Sequence, residues 1–343
     1  MRRMEGWFVM RGTSCKTLML GLVAILMVGV FTGCGSEKKA VAPTGSKVIN
    51  VGIVQLVEHA ALDAANKGFV DGMASKGFKE EVNVKYDRQN AQADQSNLQN
   101  IAQRFITNKV DLICAIATPA AQTVANATKD IPIVGTAITD YAAAKLVASN
   151  KDPQGNVTGT NDMNPLEQQI DLILKIVPTT KTLGIIYTSS EVNSQMQVDL
   201  VKAYVAGKNI AVEEATVSNV NDIQQAAQSL VGKVDAIYVP TDNVLASAMP
   251  TLAIITDEAK IPVFAGEGGM VMAGGVATLA IDYYKLGYQT GEMAADILNG
   301  KAKPATMAIQ GQKEFQVVIN EERVKKLGLK IPDDILKMAK GAK

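Results

Sequence analysis

Apolar positions along the chain follow two rhythms in turn. Residues 48–54 (VINVGIV) form a short, β-branched apolar run, and Leu62, Ala65, Phe69 and Met73 then recur at helical spacing. The same alternation gives strands at 82–86, 110–117 and 131–135. Between them, helices are marked by Leu98, Ile101 and Phe105 and by 120–127. The pattern then restarts. Helices are expected at 166–177, 192–205, 223–230 and from 244, and strands at 182–187 (TLGIIY), 210–215, 234–239 (VDAIYV), 261–265 and 276–281. Near-continuous apolar strands between amphipathic helices predict parallel sheets covered on both faces. The polar segment 156–164 (NVTGTNDMN) reads as a crossover between two similar α/β lobes. A helix at 284–298 and a strand at 315–319 remain, too little for a third domain.

The first 33 residues do not fit this rhythm. Arg2, Arg3, Arg11 and Lys16 precede an apolar run from Leu18 to Phe31, shorter than the roughly 20 residues a spanning helix needs. The run ends in Phe31-Thr32-Gly33-Cys34, similar to a bacterial lipobox, with Phe31 where Leu is usual. Residues 1–33 therefore read as a lipoprotein signal, Cys34 as the lipidated residue and 34–47 as a polar, flexible tether. That places the protein outside the cytoplasm, held to the bacterial cell membrane by lipid. The expected lobes are 48–160 with 283–312 and 161–282, and 313–343 supplies a last crossover strand and tail.

Composition narrows the function. The 343 residues carry 34 Lys+Arg and 34 Asp+Glu, a formal charge of zero, which excludes a polybasic nucleic-acid surface. One His and three Cys exclude zinc fingers, iron–sulfur clusters and a disulfide framework, so neither a metal nor another cofactor is expected. Gly-rich phosphate loops and a G-x-S-x-G elbow are absent, and AGEGG at 265–269 is not a dinucleotide fingerprint. An enzyme would rest on His59 and nearby acids alone.

In open α/β sheets, ligands bind beyond the carboxyl ends of the strands. In the first lobe those ends carry Gln55, His59, Asn90, Thr118, Thr139 and Asp140. In the second they carry Ser189, Ser190, Asn193, Asp242, Asn243, Glu267 and Asp282. Hydroxyls, amides and carboxylates suit a small zwitterion such as an amino acid. Thr118, Ser189 and Ser190 open helices whose free N–H groups can hold a carboxylate. Asp242, Glu267 or Asp282 can hold an ammonium, and Asp242 is the first choice. Each is also an ordinary N-cap for the helix that follows it. Leu56, Val57, Ala60 and Tyr141, with Tyr283 or Tyr284, are candidates for an apolar slot.

Several strings carry a resemblance: VGIVQLVEHAALDAANKGFVDGM, IATPAAQTVANATKDIPIVGTAITD, GKVDAIYVPTDN, IPVFAGE and IDYYKLGYQTGEMAADIL. From about Val48 to Leu329 the chain resembles the TrpX-like ABC-transporter substrate-binding lipoproteins. Against that family's pattern, Ala60 replaces a proline, and Glu267 stands where the family has aspartate. The resemblance implies a type I periplasmic-binding-protein fold, two Rossmann-like lobes with parallel sheets joined by three crossovers. It also implies an aromatic amino acid as ligand (tryptophan, phenylalanine or tyrosine) and an ABC permease with its ATPase as partners. Alternatives are a sensor of the same fold signalling to a membrane partner, or a binder of another small neutral solute.

Overall fold

The computed structural model describes residues 48–340. The signal, Cys34 and the tether lie outside them. The first lobe begins with β1 (Ile49–Gln55), α1 (Ala60–Ser75), β2 (Val84–Asn90), α2 (Gln95–Thr107), β3 (Leu112–Ile116), α3 (Thr118–Ala127), β4 (Ile133–Ile138) and β5 (Val157–Asn161). The second contains α4 (Leu166–Ile176), β6 (Thr182–Thr188), α5 (Val192–Ala206), β7 (Ala211–Val217), α6 (Ile223–Leu230), β8 (Ala236–Val239), α7 (Asn243–Ser247), α8 (Met249–Glu258), β9 (Val263–Ala265), α9 (Gly268–Ala273) and β10 (Ala277–Ala280). The chain then forms α10 (Tyr283–Leu298), β11 (Gln310–Gly311), β12 (Gln316–Ile319), α11 (Glu321–Lys326) and α12 (Asp333–Lys340).

The first sheet has the order β11-β5-β4-β3-β1-β2 and is parallel throughout. The second is the parallel sheet β7-β6-β8-β9, and β10 pairs antiparallel with β12 beside it. The lobes are joined three times, between β5 and α4, between β10 and α10, and between β11 and β12. This is the type I periplasmic-binding-protein arrangement. The first lobe has one apolar core, in which Ile53, Phe69, Phe105, Ile113 and Ile116 are fully buried. The second lobe has a core on each face of its sheet.

Segment 156–164 is not wholly a crossover. Residues Val157–Asn161 are the strand β5, lying between β4 and β11. Its threonines can be buried because distant groups satisfy them. Thr160 Oγ1 bonds to Thr136 and Thr290, and Thr158 Oγ1 donates to the Met307 carbonyl. Only the residues after Asn161 cross between lobes.

Helix α10 returns to the first lobe and packs on α1 through glycines on both sides. A Cβ on Gly68 or Gly72 would enter the α10 backbone, and one on Gly287 or Gly291 would enter that of α1. This close approach fixes the middle crossover, which ends at the N-terminus of α10. Residues Asp282 and Tyr283 therefore sit at the junction of the lobes.

Candidate functional site

The carboxyl ends of β1, β4, β6, β8 and β9 converge where the lobes meet. They enclose a small cavity with room for about one water molecule. From the first lobe come His59, Leu62, Ala137 and Thr139, and from the second Asn193, Thr241, Asp242, Asn243, Ala246 and Glu267. Asp162 and Tyr283, from two different crossovers, complete the lining. No lysine or arginine is among these lining residues. Two direct contacts bridge the lobes across it: His59 Nε2 lies 3.3 Å from Asn243 Oδ1, and Thr139 Oγ1 lies 3.5 Å from Thr241 Oγ1.

Local chain signals place these groups. Asp242 follows β8 and caps α7, and Glu267 follows β9 and caps α9. His59 is the N-cap residue of α1, but its side chain does not cap the helix. It is left free to reach Asn243. Ala137 stands at a positive φ of 56° where β4 slips register against β5, and this irregularity turns the chain toward the cleft. A non-glycine residue in that region is uncommon and is held by its surroundings.

Four buried carboxyls dominate the electrostatics. Asp162, Asp242 and Glu267 line the cavity, and Glu191 stands directly behind Asn193 and Asn243. Burial raises the pKa of Asp162, opposed by the Tyr283 and Thr139 hydroxyls. It pushes Glu267 up to about 7, against the pull of the Gly269 and Met270 amides. Glu191 is pushed up to about 8, by burial first and then by the charge of Asp242. Asp242 is also raised by burial. His59 is lowered by burial, so the neutral imidazole is favoured.

Asp242 does not have the place assigned to it from sequence. Oδ2 accepts from the Thr188 amide at 2.6 Å and Ser194 Oγ at 2.7 Å, and Oδ1 from Thr188 Oγ1 at 2.7 Å and the Leu245 amide at 2.9 Å. Four donors of its own lobe occupy the carboxylate, which ties β6, α5 and α7 together. Asp162 is different. Oδ2 accepts from Tyr283 Oη at 2.8 Å, while Oδ1, buried at the cavity, has no partner. A carboxylate oxygen left this way costs free energy until a donor meets it.

Of the thirteen positions read from sequence, the cavity gathers His59, Thr139, Asn193, Asp242, Asn243 and Glu267. The others lie elsewhere. Gln55 is held by Val57, Asp63 and Asn66 within its own lobe. Asn90 closes a local turn on Gln92, and Asp140 caps the turn at Ala143. Thr118 opens α3 inside the first lobe, and Asp282 caps α10 at Lys285. Ser189 and Ser190 are exposed, and Ser190 faces an open groove lined by Gln95, Pro119 and Gln122. Tyr141 belongs to the core, where its hydroxyl donates to the Thr160 carbonyl. Sequence reasoning missed Asp162, Glu191 and Thr241 as a set. The signal for Asp162 was its position just past the carboxyl end of β5, a strand read as loop.

A small cavity between two α/β lobes, acidic and without lysine or arginine, is the site of a solute receptor. The sequence profile described as "ABC transporter substrate binding protein" matches residues 50–343. The chain belongs to this family, whose members are extracytoplasmic solute-binding proteins. It is 42% identical over 334 residues to a tyrosine-binding protein of Clostridioides difficile strain R20291, covering 95% of this chain and 96% of that one. It is similar to the ABC domain from Streptococcus pneumonia solved in complex with L-Trp, at 41% identity and TM-score 0.83, covering 86% and 99% of the two chains. It also matches the ligand-free, open structure of a substrate-binding protein with adhesive properties from Clostridium difficile. That likeness has 45% identity and TM-score 0.64, over 84% and 97%. Among the described residues, no helix is long and apolar enough to cross a membrane, and no group of three or more His, Cys, Asp or Glu could hold a metal ion.

Proposed function

We propose that the protein is the receptor of an ABC importer, anchored through lipid on Cys34, that captures an aromatic amino acid and delivers it to a permease and its ATPase. The cavity carries this reading. It is small, shared by both lobes, and its unpartnered Asp162 oxygen awaits a cationic donor. The ammonium pairs with Asp162, while Leu62, Ala137, Ala246 and the Tyr283 ring offer apolar wall. Relatives above 40% identity, one named tyrosine-binding and one bound to L-Trp, support the aromatic class.

The likenesses also bear on motion. The chain superposes better on the L-Trp complex than on the open, ligand-free relative, although its identity to the latter is higher. That ordering favours a closed arrangement here and a hinge at the three crossovers. The moving bodies are then 48–160 with 283–312 against 161–282, with 313–343 following the third crossover. No reaction is performed on the ligand, and His59 faces the Asn243 amide rather than a nucleophile.

Calorimetric titration of the purified protein with the twenty amino acids tests this reading. Binding of tyrosine, tryptophan or phenylalanine above the others is expected, with a smaller radius of gyration by small-angle scattering at saturation. Binding of no amino acid, or an unchanged radius, would remove it. Intact mass of the membrane fraction should show a diacylated N-terminus that Cys34→Ala abolishes.

A further inference from the structure

Three buried polar atoms at the cavity have no hydrogen-bond partner: Asp162 Oδ1, Asn193 Oδ1 and His59 Nδ1. Their identities as donor or acceptor follow from what holds the rest of each side chain. Asn193 donates from Nδ2 to Glu191 Oε2 at 3.0 Å and to the Thr241 carbonyl at 2.8 Å. A backbone carbonyl can only accept, so the amide is locked and its oxygen is the atom left without a partner. With Glu191 ionised, Asn243 donates from Nδ2 to its Oε2 at 2.5 Å, so the Asn243 oxygen is the atom that faces His59 Nε2. That oxygen requires a proton on Nε2. In a neutral imidazole, Nδ1 is then a bare acceptor. All three unpartnered atoms are acceptors.

We infer that Glu191 is the positioning residue of this site: it orients Asn243 and, through it, the histidine tautomer, while the Thr241 carbonyl holds Asn193, so that three acceptors await one group with three donors, a primary ammonium. This deepens the receptor reading above and rests on it. Glu191 is 3% exposed and does not line the cavity. Both of its oxygens are committed, since the amides of Asn243 and Val244 also donate to Oε1. A site of acceptors alone discriminates by what it cannot satisfy. A ligand lacking the ammonium leaves the three atoms desolvated and unpaired.

Two measurements test the inference. The first is titration of the parent and of Glu191→Gln with L-tyrosine and with its des-amino analogue, 3-(4-hydroxyphenyl)propionate. The parent should prefer the amine-bearing ligand by about a hundredfold or more. Glutamine offers an NH₂ group where the Asn243 amide now donates, so Asn243 can turn, give its donor to His59 Nε2 and move the imidazole proton to Nδ1, which then presents a donor. The preference should then fall at least about tenfold. A residue that only supported the helix ends would weaken both ligands alike and leave their ratio unchanged, and that result would overturn the inference. The second is the ¹⁵N spectrum of the ligand-saturated parent. The chain has one histidine, so the imidazole signals belong to His59. Protonated Nε2 and bare Nδ1 are expected, and a proton on Nδ1 would overturn the inference even if Glu191→Gln fails to fold. A parent that binds no primary amine overturns this inference and the receptor reading together. Amine binding with the wrong tautomer or an unmoved ratio overturns this inference alone.

Discussion

The first lobe brings to the cleft one neutral histidine, one threonine hydroxyl and the apolar side chains of Leu62 and Ala137. The second brings Asn193, Asp242, Asn243 and Glu267, all more than nine-tenths buried and already bonded within their own lobe. The polar order of the second face is therefore built before any ligand arrives, and little ordering is left for the binding step. The first face acts as the lid. Its two direct contacts to the second face are long, at 3.3 and 3.5 Å, so most of the drive to close must come from the ligand between them. Asp162 belongs to neither face. It stands in a crossover, where one carboxylate bonds to Tyr283 of another crossover and also meets the cavity.

That division sets the largest expected effect. Asp162→Asn keeps the size and can still accept from Tyr283, but it removes the charge opposite the ammonium. Loss of one partner of a desolvated pair costs about 2–5 kcal/mol, so the Kd for the amino acid should rise roughly 30- to 5,000-fold with little change in melting temperature. Titration calorimetry reads it. Unchanged affinity would move the ammonium to Glu267 and remove the crossover from the binding step.

Asp242→Asn should do the opposite. Each of its oxygens receives two donors, and an amide must turn its NH₂ toward one of those pairs. Stability should fall by about 2–4 kcal/mol in denaturant unfolding, through donors left unpaired inside the second lobe. Affinity measured well below the melting temperature should change little. If this variant melts like the parent and binds tenfold more weakly, the second face is not self-sufficient.

The buried acids also make stability depend on pH. Glu267 is raised from 4.5 to about 7 and Glu191 to about 8, both chiefly by burial. Between about pH 4.5 and those values the folded chain binds more protons than the unfolded one. Their contribution is therefore full below about pH 4.5 and is lost as pH rises through 7 to 8. The ligand-free protein should lose on the order of 6 kcal/mol of unfolding free energy between pH 5 and pH 8 if the two groups act independently, at about 1.4 kcal/mol per unit of pKa shift. Glu267→Gln should flatten the part of the slope between about pH 4.5 and 7. Stability that stays flat over this range would mean the acids are ionised throughout.

Much of this fold was legible from periodicity. Runs such as Ile113 to Ile116 and Leu183 to Ile186 are buried on both faces and read as strands without any partner being known. Strand β5 was not legible, because Thr158 and Thr160 are made compatible with a core by Met307 and Thr290, each more than 120 residues away. The site was half legible for a related reason. Position after a strand identified Asp242 and Glu267, since both loop chemistry and topology are local. Whether a carboxylate there is free or consumed depends on Thr188 and Ser194, over forty residues away. Asp162 was hidden by the strand that precedes it. Exposed Ser190 and core-bound Tyr141 show the converse, a plausible residue type in a place that burial alone decides.

The smallest effects come from deleting one hydroxyl on each face, and they sharpen the comparison because the chemistry removed is the same. Ser194 Oγ donates to Asp242 Oδ2 at 2.7 Å, wholly within the second lobe. Ser194→Ala should cost about 1.5–3 kcal/mol of stability, the range for a bond to a charged group, and leave ligand affinity nearly unchanged. Thr139 Oγ1 instead faces Thr241 of the other lobe at 3.5 Å, a contact that exists only when the lobes are together, and it also acts on the Asp162 carboxyl in the crossover. Thr139→Val retains the branch and the bulk. The bond is long and neutral, so no more than about 1 kcal/mol is at stake, or roughly fivefold in Kd. That loss should appear in binding and not in melting of the ligand-free protein, where nothing holds the two hydroxyls in contact. The two variants should thus separate cleanly, one in stability and one in affinity. If Thr139→Val lowers the melting temperature as much as Ser194→Ala does, the lobes are already closed without ligand, and the first face is part of a rigid body rather than a lid.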